Sequence, residues 1–150
     1  MKRLSVLLAG GALAISAHAV NWSKVSENPT GSIFSLDLDS IESSDINIID
    51  DKNVKNITVS IRKTYPTPKN DLKEAKENSI HHSDQQLLIS CKDASYYKRA
   101  YVNYNADDKV TKSWHSEKPI LTTKDFTLTN PKTIGRALVD EACKRYEQMT

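Results

Sequence analysis

Residues 86–105, QLLISCKDASYYKRAYVNYN, decide the fold. Gln86 to Lys92 and Tyr96 to Asn105 are dense in Leu, Ile, Tyr and Val, side chains that suit a pleated, half-buried surface. Lys92-Asp93-Ala94-Ser95 between them carries turn chemistry, so the two runs read as a β-hairpin. Upstream, Val54 to Tyr65 alternates with a period of two: Ile57, Val59 and Ile61 face one way, and Thr58, Ser60 and Arg62 the other. One apolar and one polar face is the pattern of an antiparallel sheet. Val20 to Val25, Ile33 to Leu38, Val110 to His115 and Asp125 to Leu128 extend the series. Ile46, Ile48 and Ile49 mark a further strand edge between Asp45 and Asp51. Turns at Asp39-Ser40 and Asp107-Asp108-Lys109 keep the connections short, which favours a meander.

At the C-terminus the period changes to 3.6. Asn130 and Pro131 supply a cap and a first helical position. Beyond them Ile134, Leu138, Val139, Ala142, Cys143 and Tyr146 fall on one face, with Thr133, Asp140 and Lys144 opposite. The fold class that follows is α+β: an antiparallel sheet of about six strands with one C-terminal helix packed on it.

Lys2 and Arg3, the apolar run Leu4 to Ile15 and then Ala17-His18-Ala19 have the order of a secretory signal peptide, residues 1–19, with cleavage expected after Ala19. The expected product, residues 20–150, is one domain. In an exported chain the two cysteines, Cys91 and Cys143, are expected to pair, because the periplasm and cell exterior are oxidising and no Cys-x-x-Cys spacing indicates a redox site. A bridge there ties the helix to the sheet. Val20 stands where a bacterial lipoprotein would carry cysteine, so the expectation is periplasmic, surface or secreted protein without a lipid anchor. The apolar leader is shorter than a membrane span of about 20 residues, and no comparable run follows, so no membrane insertion is expected. The leader carries two of the 21 basic residues and none of the 19 acidic ones, leaving 19 of each. A neutral domain without a basic stripe is a poor match for phosphate-rich nucleic acid.

The catalytic and metal patterns are thin. His81-His82 are adjacent, so on a strand they diverge, and only His115 accompanies them in residues 20–150. Zinc needs three or four convergent ligands. Serines are plentiful, yet no Gly-x-Ser-x-Gly elbow activates one. The aspartate pairs lie where turns are expected, and four glycines make no phosphate-cradling loop. The expectation is a non-enzymatic protein with no cofactor. Its most suggestive cluster is Tyr96, Tyr97, Tyr101 and Tyr104 with Lys98 and Arg99, since tyrosine and arginine are enriched where proteins bind one another. Strict alternation sets Tyr97, Arg99, Tyr101 and Asn103 against Tyr96, Lys98, Ala100, Val102 and Tyr104. The segment Pro66 to Asp84 is polar and charged and reads as a long loop, with one helical turn at Lys73 to Asn78.

Four stretches, FSLDLDSI (34–41), YPTPK (65–69), LLISC (87–91) and FTLTNPKTIGRALVDEAC (126–143), resemble the surface-adhesin protein E family of Gram-negative bacteria in order and spacing. The resemblance implies a sheet of about six strands with a C-terminal helix clamped by a disulfide. It also implies adhesion to host matrix and serum proteins such as vitronectin and laminin, and homodimers. The family's ligand-binding stretch maps to Lys69 to Lys98. Where the family has a dense basic cluster, this chain has Lys69, Asn70, Asp71, Lys73, Glu74, Lys76 and Glu77. Candidate partner-binding residues are therefore Lys69, Lys73, Lys76, His81, His82, Lys98, Arg99 and Tyr101. An inhibitor or immunity-type protein that binds an enzyme is the alternative class.

Overall fold

The computed structural model describes residues 20–46, 48–50, 56–67 and 79–150. The expected signal peptide, the helical turn at Lys73 to Asn78 and candidate residues Lys69, Lys73 and Lys76 lie outside the described residues.

Among the described residues eight strands form one antiparallel sheet: β1 (Trp22–Glu27), β2 (Ile33–Asp37), β3 (Glu42–Ser44), β4 (Asn56–Thr64), β5 (His82–Ser90), β6 (Ser95–Tyr104), β7 (Val110–His115) and β8 (Thr127–Leu128). The principal order is β1-β2-β4-β5-β6-β7, the expected meander. The two short strands prolong the line of a neighbour. β2 pairs with the second half of β4 and β3 with its start, joined by a 3₁₀ turn at Leu38–Ser40. In the same way β7 pairs with the second half of β6, and β8 with its start.

The alternation in β4 is realised. Leu36, Ile57, Val59, Ile61, Leu87 and Ile89 form a core beneath the helix α1 (Ile134–Met149), which contributes Leu138, Val139 and Ala142. Ile134, Cys143 and Tyr146 pack at its margin, completing the expected apolar face. Cys91, one residue past β5, is bonded to Cys143 with Cα atoms 5.8 Å apart.

Four sequence expectations shift. First, α1 starts at Ile134 with Thr133 as its cap, whose side chain accepts the Arg136 N–H at 3.2 Å. Lys132 has φ +67°, which breaks the helical path that Asn130 and Pro131 were expected to open. Second, the long loop ends earlier than Asp84, because His82 to Gln85 already pair with β4 and β6. Third, the polar side of the β4 alternation is covered as well as the apolar one: Thr58, Ser60, Asp84 and His82 on that side are all buried. Fourth, among the described residues the strand edge expected between Asp45 and Asp51 has one isolated bridge, Ile48 to Leu121, which with Leu88 makes a second, smaller core on the face away from α1. No helix among the described residues is long and apolar enough to cross a membrane.

Candidate partner-binding face

The β6–β7 hairpin is set by its turn. Asn105 accepts the Asp107 and Lys109 amides on its side-chain oxygen at 2.9 and 3.0 Å, and Asp108 takes a left-handed φ of +60°. Such an Asx-type turn is what Asn and Asp do well. It places Tyr101 opposite Trp114 and Asn103 opposite Lys112.

A bulge then decides which side chains meet. Gln86 pairs with Ala100 but Leu87 with Lys98, so Arg99 is the extra residue of β6. One inserted residue reverses the alternation beyond it. Lys98 and Tyr101, assigned to opposite faces by strict alternation, consequently share the face that carries α1, and the Lys98 ammonium lies 5.7 Å from the centre of the Tyr101 ring. Tyr101 stacks on Trp114 with ring centres 5.8 Å apart, and the Lys112 ammonium lies 6.0 Å from the same tyrosine ring. Trp114 is 42% exposed. Cations this close to an aromatic face are attracted by its quadrupole. No carboxylate among the described residues pairs with Lys98 or Lys112.

The remaining candidates lie elsewhere. Arg99 uses its carbonyl to accept the Ser116 N–H at 2.7 Å. His82 is on the opposite face, 5% exposed, stacked on Tyr104 at 4.7 Å. Its Nδ1 meets the His81 Nδ1 at 2.8 Å. Burial, followed by the Arg62 guanidinium, pushes the His82 imidazole below its usual pKa. Next to it Arg62 grips Asp84 through Nε at 2.6 Å and Nη2 at 2.8 Å, which raises the arginine further. Among the described residues no three His, Cys, Asp or Glu side chains converge as a metal site would require. At the far end of this face a cleft of about 380 Å³ opens between Ile48, Phe126 and Leu128 over Asn56, Ser90 and Ser95.

Sequence reading missed Trp114 and Lys112. Their signal was present: the tryptophan sits at an alternate position of the strand that the Asp107-Asp108-Lys109 turn folds back on Tyr101. Comparison of the chain with family models, curated proteins and solved structures finds no match.

Proposed function

We propose that this protein is an exported, non-enzymatic binding module that engages a protein partner through the β6–β7 face, in the manner of the surface adhesins its motifs resemble. The observation that carries this reading is the stack of half-buried Tyr101 on exposed Trp114, with Lys98 and Lys112 beside it. Aromatic groups of this kind bring a large contact area with little rotamer entropy to lose, and flanking cations steer an acidic partner. The leader motif supports export, and vitronectin and laminin are the partners to try first.

The test is surface-binding kinetics of the purified protein on immobilised vitronectin and laminin, followed by affinity capture from its native compartment. Trp114→Ala should raise the dissociation rate of the recovered partner about tenfold, the effect of losing about 1.4 kcal/mol. Lys98→Glu with Lys112→Glu should slow association and flatten its salt dependence. Unchanged rates in both variants, at an unchanged unfolding midpoint, refute this face.

A further inference from the structure

β7 is the last strand of the principal order, and all six of its residues are exposed. Its backbone offers more than its side chains do. The Ser116 N–H donates to the Arg99 carbonyl, so in an antiparallel ladder running on through Tyr101–Trp114 and Asn103–Lys112, Trp114 and Lys112 direct their amides and carbonyls to β6. Ser113 and His115, the alternate residues, direct theirs outward. Among the described residues nothing pairs with that edge. Native proteins blunt such edges with lysines, proline, bulges or inward charges, and of the charged residues β7 carries Lys112 alone. β7 has no proline, and its one irregularity lies at the turn end, between the pairs Asn103–Lys112 and Tyr104–Val110.

We propose that β7 receives an extended acidic segment of the partner as an added strand, its backbone pairing with Ser113 and His115 and its carboxylates standing beside Lys98 and Lys112. This rests on the binding face assigned above and adds the mode and the chemistry of the ligand. Charge selects the occupant. β6 and β7 together carry Lys98, Arg99 and Lys112 and no acidic residue. A second copy added across the edge would bring the same three cations to the sheet, and like charges on neighbouring strands repel. An alternating acidic and apolar strand complements both features at once: every second side chain meets the lysines, and the others lie over the exposed edge residues. Main-chain pairing then supplies affinity and alternate side chains supply specificity, the usual division of labour in strand addition.

The probe is a synthetic peptide of about eight residues alternating Glu and Val, long enough to span β7. Binding to the full protein is followed by fluorescence anisotropy and by amide hydrogen exchange. The peptide should bind, slow exchange at Ser113 and His115, and weaken with salt. The Lys-Val counterpart and the Glu-Val peptide N-methylated at alternate amides should each bind at least about tenfold more weakly. Ser113→Pro removes an outward N–H at an edge position where proline is tolerated, and should weaken the peptide by a similar factor without altering the fold.

Equal binding of the Lys-Val or N-methylated peptides, or no binding of the Glu-Val peptide, overturns the inference. So does protection of Ser113 and His115 that grows with protein concentration alone, which would make the occupant a second copy. If Ser113→Pro leaves the recovered partner's affinity intact while Trp114→Ala weakens it, the strand mode falls and the binding face stands. If Trp114→Ala has no effect either, both fall.

Discussion

Asp84 is 1% exposed and sits between β4 and β6, where a lone carboxylate would be costly to bury. It is held by both arms of Arg62, whose guanidinium also lies 4.6 Å from the Trp22 ring centre on the opposite edge of the sheet. Removing one partner strands the other. Arg62→Ala should therefore destabilise by about 3 kcal/mol, whereas replacing both by apolar residues, Arg62→Met with Asp84→Leu, should recover most of that loss. Urea titrations of the three variants check this, and equal losses for the single and double variants would refute it. His82 adds a pH dependence of definite sign. Burial and Arg62 depress its folded-state pKa below the usual 6.5, so the folded protein prefers the neutral ring more strongly than the unfolded chain does. Its contribution is complete above pH 6.5 and is lost as pH falls below that value. The urea midpoint should drop between pH 7 and 5, and His82→Gln should reduce the slope of that drop. A slope unchanged by the substitution would assign the acid sensitivity to other groups.

Two elements show how far a sequence can be read before tertiary contacts take over. β4 was legible because Ile57, Val59 and Ile61 need only a period of two, and the structure buries all three under α1. The binding face was only half legible. Its tyrosine and lysine were visible as residue types, but their meeting depends on the Arg99 bulge, and a bulge has no fixed residue signature when glycine is absent. Without it Lys98 and Tyr101 would point to opposite sides. The start of α1 was misplaced for a related reason: Asn130-Pro131 is a good opening pair, yet Thr133 wins because Lys132 turns left-handed before it. Thr133 also donates its hydroxyl to the Asn130 carbonyl at 2.6 Å, closing the turn that displaces the cap. Thr133→Ala should accordingly cost about 1 kcal/mol of stability, and Asn130→Ala, outside the cap, much less. Thermal unfolding followed by circular dichroism decides between them. A larger loss for Asn130→Ala would place the cap at the sequence-predicted position.

At the scale of the whole molecule, one apolar helix face and one covalent bond hold the layers together. α1 packs on β1, β2 and β4, whereas Cys143 reaches the end of β5, the next strand along the sheet. The bond thus adds a covalent tie at β5, one strand beyond those three, whose Leu87 and Ile89 already share the core with the helix. Because it closes a loop with a sequence separation of 52, it restricts the unfolded chain strongly, by roughly 4 kcal/mol in the chain-entropy account. Leu138, Val139 and Ala142 are buried by packing on the sheet, a contact that does not itself involve the bond, so its loss should lower stability without dismantling the fold. The expected outcome for Cys91→Ala with Cys143→Ala is native-like circular dichroism with a melting temperature about 10 °C lower, taking about 3 °C per kcal/mol for a domain of this size. Reductant should shift the parent protein by a similar amount and leave the variant unmoved. Coincident melting curves for oxidised and reduced protein would mean that helix packing alone fixes α1. A collapsed spectrum in the variant would mean that the two layers cannot find each other without the bridge.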